Sequence, residues 1–264
     1  PGDSSPPTIS SISIPNATMK VDDVVTVTIT VASDTDNYTG GLGGISGNIG
    51  GFTLNNLSKT NDTTYTAQFT ITNGGSDVAA GSNIPVSFTL TDSSGNTSAA
   101  FTTAISQASD PIDANNPTIS NVTIPNSGMG IGDAVAVSIT AGEAGLNFVS
   151  GTINNVGVTG FSDDGGGNYS ATYTVGGGDT ERAAGDSIPV SFVLADDAGN
   201  NSSTYSTSIV QAGDPIDTTV PVISSVTIPD AAMKVGDVVT ATITVTSDTD
   251  DYTAGSGGIS GTIG

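Results

Sequence analysis

The chain has 264 residues and a net charge of −22, with 26 acidic residues against four Lys and Arg and with no Cys, His or Trp. That balance excludes recognition of phosphate backbones, which rests on Lys and Arg, and it repels anionic membrane surfaces. Without Cys or His there are no disulfides, no thiolate or imidazole metal sites, and no catalytic triads built on those groups.

The first six residues are polar and linker-like, and Pro1-Gly-Asp3 aligns with Pro111-Ile-Asp113 further on. Strands are expected near 8–14, 24–32, 45–50, 52–58, 63–72, 84–91 and 98–107. The clearest is Val24-Val-Thr-Val-Thr-Ile-Thr-Val31, where apolar and Thr positions alternate with period two and most are β-branched. Thr63 to Thr72 and Ile84 to Thr91 alternate in the same way, and Pro85 stands near a strand start, where a missing donor is tolerated. Clusters of Gly, Asn, Asp and Ser separate these runs, and no stretch has a period of 3.6. The charged fraction is only 11% and the apolar fraction 35%, so this patterned chain is expected to fold despite its net charge. It has no apolar run long enough to span a bilayer.

The same phrase then recurs. Pro7 to Gly50 aligns without a gap with Pro221 to Gly264, with 32 of 44 positions identical, and a middle copy opens at Pro117. Spacings of 110 and 104 residues match one small domain each. The expected organisation is therefore linker 1–6, domain 7–110, linker 111–116, domain 117–214, linker 215–220, and the first half of a third repeat over 221–264. About seven short strands per copy predict an all-β fold of tandem antiparallel Ig-like sandwiches in an elongated rod. Met19, Met129 and Met233 share one aligned position and are expected to plug the core. The half-repeat leaves an apolar face for further chain, or strands of a neighbouring molecule, to complete. The sequence is expected to be an excerpt of a longer one.

Three motifs recur in order. One is the Asp-rich linker ending in Pro, at Asp110 to Pro117 and Asp214 to Pro221. Another is Met-Lys-Val-Gly-Asp at 233–237, with variants at Lys20 to Asp23 and Gly130 to Asp133. The third is Asp-x-x-Gly-Asn at Asp92 to Asn96 and Asp196 to Asn200. Together they resemble the bacterial Ig-like repeats that form the extender regions of giant Gram-negative surface adhesins. The resemblance implies a stiff extracellular spacer, often rigidified by calcium between domains.

Alternate loops of a sandwich fall at opposite ends, which sorts the acids. Asp22, Asp23 and Asp77 of the first copy join Asp110 and Asp113 of the linker. Glu143, Asp163, Asp164, Asp196 and Asp197 of the second copy face them. The next junction collects Asp133, Asp179, Glu181, Asp214 and Asp217, opposite Asp248, Asp250 and Asp251. Carboxylates gathered this way repel one another unless a cation sits between them. Calcium suits an all-oxygen set of flexible geometry better than magnesium or zinc. Several of these acids have a competing role: Asp92 and Asp196, and also Asp23, Asp133 and Asp237, suit the capping of turns, and the linker acids suit solvated charge. Asp34-Thr-Asp36 begins like an EF-hand loop but lacks its Gly and terminal Glu.

The expected function is a non-enzymatic spacer whose partners are neighbouring repeats of the same chain. Two alternatives stand beside it. One is a subunit of an extracellular filament or surface layer, binding identical chains. The other is a carbohydrate-binding module, for which Tyr38 and Tyr252 are the only aromatic candidates.

Overall fold

The computed structural model describes residues 3–32, 36–106, 110–213, 215–246, 252 and 257–263. No helix occurs among them. Domain 1 is built from β1 (Ile9–Ser13), β2 (Met19–Lys20), β3 (Val24–Val31), β4 (Gly44–Ile49), β5 (Phe52–Thr53), β6 (Asn55–Asn61), β7 (Thr64–Thr70), β8 (Asn83–Ile84), β9 (Val86–Thr91), β10 (Ile105–Ser106) and β11 (Ile112–Asp113). One sheet has the order β1-β3-β7-β6 and the other β5-β4-β9; β10 pairs with β8, and β11 with β2.

The alternation in sequence becomes the two faces of the first sheet. Val25, Val27, Ile29 and Val31 of β3 point inward beside Tyr65, Ala67 and Phe69 of β7, and all are buried. They meet Ile49, Val86, Phe88 and Leu90 of the second sheet in one core. The outward positions of β3 and β7 are mainly Thr, with Thr26 opposite Gln68, Thr28 opposite Thr66 and Thr30 opposite Thr64. Carboxylates are thereby kept to the domain ends.

Two expected strands come out differently. The run 52–58 is split: β5 pairs with β4, whereas β6 crosses to the other sheet and pairs with β7. The crossing turns at Leu54, whose N–H donates to the Gly47 carbonyl (3.0 Å). Gly47 has φ 136°, and a Cβ there would lie 2.2 Å from the Ser87 carbonyl oxygen, so only Gly fits. Of the run expected at 98–107, residue 107 lies outside the described residues, and 98–104 is mostly irregular, held by bridges from Thr97 to Thr91 and from Phe101 to Phe88 before β10.

Domain 2 repeats the plan with β12 (Ile119–Thr123), β13 (Met129–Gly130), β14 (Ala134–Ala141), β15 (Asn147–Ile153), β16 (Val156–Gly157), β17 (Thr159–Gly165), β18 (Asn168–Thr174), β19 (Ser187–Ile188), β20 (Val190–Ala195), β21 (Ile209–Val210) and β22 (Ile216–Asp217). Its sheets are β12-β14-β18-β17 and β16-β15-β20. In the third repeat β23 (Ile223–Thr227) pairs with β24 (Thr242–Val245). Met19 and Met129 are core residues at 4% exposure each, whereas Met233 is 46% exposed; Val222, Ile223 and Val226 are exposed too. This two-stranded piece has no opposing sheet among the described residues.

The segments 111–116 and 215–220, expected as linkers, are bound to the domain before them. β11 runs parallel to β2, and Ile112 also bridges Val78. Ile112 and Ala114 belong to the domain 1 core. β22 pairs with β13 in the same way.

Candidate cation-binding ends of the domains

The described carboxylates converge most tightly at the leading end of domain 1. One carboxylate oxygen from each of Asp3, Asp36 and Asp92 lies within 4.8 Å of the others. Asp3 comes from the entering chain, Asp36 from the loop after β3, and Asp92 from the turn after β9. Asp92 is fully buried, and its Oδ1 accepts N–H bonds from Ser94 and Asn96 (2.9 Å each) while Oδ2 accepts from Asn96 Nδ2 (2.9 Å). Burial pushes its carboxyl up, but the bonds from Asn96, Ser94 and Gly95 outweigh this and hold it below the usual carboxylate range. Asp92 is thus a turn cap that stays ionised and faces two further acids.

The corresponding positions of domain 2 are Asp113, Glu143 and Asp196. Burial raises the Asp113 carboxyl, against an N–H bond from Asn115, and the charges of Asp196 and Asp77 add to the rise. Burial likewise raises Glu143, reinforced by Asp196, Asp113 and Asp77. Four acids therefore feel one another at the first junction. Asp77 and Asp113 come from domain 1 and its trailing strand, and Glu143 and Asp196 from domain 2.

Most of the other acids expected at this junction have separate partners. Asp23 caps its turn by accepting the Lys20 N–H (2.9 Å), as Asp133 does from Gly130 (2.8 Å) and Asp237 from Lys234 (2.9 Å). Asp22 is exposed in that turn at φ 72°. Asp163 accepts from Gly145 and Gly165, Asp164 from the Ser170 hydroxyl, and Asp197 from Asn147 Nδ2. Asp110 is 4% exposed, and its Oδ2 has no hydrogen-bond partner; burial raises its carboxyl.

At the second junction Asp179 accepts the Tyr173 hydroxyl (3.0 Å) and the Gly176 N–H (2.8 Å). The Tyr173 phenol is pushed up to about 12 by burial, against an Asn154 hydrogen bond and helped by Asp179. Glu181 accepts the Thr219 hydroxyl. Asp217 accepts the Thr219 N–H (2.9 Å), the same two-residue turn that Asp113 makes with Asn115 (3.2 Å) and Asp3 with Ser5 (3.0 Å). Asp214, Asp248, Asp250 and Asp251 lie outside the described residues.

Sequence reasoning assigned no turn to Asp113 and Asp217 and did not group Asp3 with Asp36 and Asp92. The signal was present: Asp3 aligns with Asp113 and Asp92 with Asp196. Tyr38 is fully buried and its ring lies 4.9 Å from Tyr65, which removes it as a sugar platform.

No protein-family model matches the chain, and no curated protein matches it. Solved structures do. Fibronectin(III)-like modules of Clostridium thermocellum CbhA are 16% identical over 77% of this chain and 95% of that one, with a TM-score of 0.31. An E-to-A mutated variant of the titin domains I67–I69 is 9% identical over 81% and 66%, with a TM-score of 0.39. The Escherichia coli adhesin FdeC is 16% identical over 93% and 74%, with a TM-score of 0.26. The sheets themselves, β1-β3-β7-β6 with β5-β4-β9 and β12-β14-β18-β17 with β16-β15-β20, make this chain a tandem of Ig-like β-sandwiches.

Proposed function

We propose that the chain is a structural, non-enzymatic spacer of a large extracellular bacterial adhesin, stiffened by calcium between its domains. The observation that carries this reading is the carboxylate set at the leading end of domain 1. Asp3, Asp36 and Asp92 form it in domain 1. Asp113, Glu143 and Asp196 stand at the corresponding places of domain 2, and their charges and that of Asp77 act on one another. A cation held by acids of both domains opposes their separation. The donors are all hard oxygens, as calcium requires, and a divalent charge offsets the repulsion that adds to the burial-driven rise of Asp113 and Glu143. No His or Cys is available to favour zinc.

Extracellular modules bind calcium with dissociation constants of about 10⁻⁴ to 10⁻³ M. At ten times that concentration a site contributes roughly 1.4 kcal/mol by mass action, small for a fold and sufficient to bias a hinge. Small-angle scattering with calcium and with chelator tests this. Calcium is expected to narrow the distribution of interdomain distances, and Asp113→Asn with Asp196→Asn to abolish the effect. Identical wild-type profiles in the two conditions overturn the calcium reading. Reproducible hydrolysis of a glycan or peptide, lost on one Asp substitution, overturns the non-enzymatic one.

A further inference from the structure

Two motifs that recur in the sequence meet across the first junction. The Val21 N–H of domain 1 donates to Oδ1 of Asn200 in domain 2 (2.8 Å), a buried bond. The other end of the same carboxamide makes the home bonds of the turn: Asn200 Nδ2 donates to Asp196 Oδ2 (2.9 Å) and to the carbonyl of the incoming chain at Asp113 (3.3 Å), which β11 also ties to domain 1. The Asn200 N–H is bound to Asp196 Oδ1 (2.9 Å). Asn200 is 2% exposed. Beside it a Cβ on Gly199 would lie 3.7 Å from Lys20 Cδ. The Asp196 to Asn200 turn thus sits on the Lys20 to Asp23 turn.

The first copy supplies a control within the chain. Asn96 makes the same home bonds, from Nδ2 to Asp92 Oδ2 (2.9 Å) and to the Asp3 carbonyl (3.3 Å). Its Oδ1 accepts no hydrogen bond among the described residues. On the receiving side Val21, under the Asp196 to Asn200 turn, is 8% exposed.

We propose that these two turns are a matched docking pair. The turn after β2 in each module is a socket, and its partner is the Asp-x-x-Gly-Asn turn of the next module in tandem. The Asn side chain fixes the angle between them. This rests on the spacer reading above but not on calcium. Asn suits the position because one side chain must accept across the joint and donate within its own turn. Asp lacks the donor and Ala lacks both groups.

The test compares Asn200→Ala with Asn96→Ala in the whole chain. Both remove the bonds to the turn and to the incoming chain, but only the first loosens contacts with domain 1, at Val21 and at Asp113. Residual dipolar couplings report the relative orientation of the two domains, and amide exchange reports Val21, each with calcium and with chelator. Asn200→Ala is expected to speed Val21 exchange about tenfold, the effect of leaving a buried N–H without its acceptor, and to broaden the interdomain orientation. Asn96→Ala is expected to change neither, while thermal unfolding of domain 1 reports the cost of the shared home bonds. Equal behaviour of the two variants in both conditions overturns the docking pair. Wild-type couplings that ignore calcium while the variants still differ overturn the cation reading alone.

Discussion

Asp77 was expected to be a cation ligand, and the structure gives it a second task. Its Oδ1 accepts the Ala114 N–H and Asn115 Nδ2, both at 2.8 Å, and so clasps the departing chain onto domain 1. Ala114 is fully buried, so Asp77→Ala leaves a buried donor without an acceptor, at a cost of about 1–3 kcal/mol. Taking about 2 kcal/mol, local opening of 112–115 becomes roughly 30-fold more frequent, since 1.4 kcal/mol is a factor of ten. Asp77→Asn keeps an acceptor oxygen but loses the charge. Bonds to a charged group are about twice as strong as neutral ones, so this variant is expected to give roughly a fivefold change. Native-state amide exchange at Ala114 and Ile112 reads these openings directly, in chelator so that no cation contributes. Unchanged exchange in Asp77→Ala refutes the clasp. An Asp77→Asn variant as loose as Asp77→Ala shows that charge, not the hydrogen bond, holds the segment.

Two more predictions follow from the same geometry. Asp113 and Glu143 have carboxyls raised above 3.8 and 4.5; between those values and the folded ones the native state binds more protons than the unfolded state. Stability in chelator therefore falls as pH rises through that window and is regained on acidification. Scattering in chelator is expected to show a less extended spread of interdomain distances as pH drops toward the carboxylate range, and no pH effect contradicts the repulsion. Gly47→Ala forces a Cβ against the Ser87 carbonyl at a φ that L residues rarely adopt. It is expected to destabilise domain 1 by about 3 kcal/mol, read as a lowered urea midpoint for domain 1 with domain 2 unmoved.

The sheets were legible because their signal is local. Alternating Val, Ile and Thr in 24–31 states both the strand and its buried face, and the third copy spells the same register, with Ile223 opposite Val245 as Ile9 is opposite Val31. The caps at Asp23 and Asp92 were legible for the same reason, since each bonds N–H groups two to four residues away. The crossing at Leu54 was not, because it depends on how closely Gly47 approaches the β9 backbone. Asp77 and Asn200 were not either. Their partners lie 37 and 179 residues away, and pairings of that span are set by how whole domains pack. Grouping the acids by loop end brought Asp77, Asp113, Glu143 and Asp196 to one place. It also swept in Asp163, Asp164 and Asp197, whose side chains are taken by neighbours in their own domain.

The parallel pairing of β11 with β2 changes how the molecule carries load. β2 lies close to where the chain enters domain 1, and β11 is where it leaves. Tension along the chain pulls two parallel neighbours in opposite directions along their length. Met19 holds the Pro111 carbonyl at 2.9 Å on one side, and on the other Ile112 exchanges two bonds with Val78, both at 2.9 Å. Such a pull meets these bonds in shear, so they must yield together instead of opening one after another. β13 and β22 repeat the arrangement, with Met129 on the Pro215 carbonyl at 2.9 Å. Each exit strand is therefore a mechanical fastening of the domain it leaves, and stretching the array loads that fastening before it reaches the sandwich core.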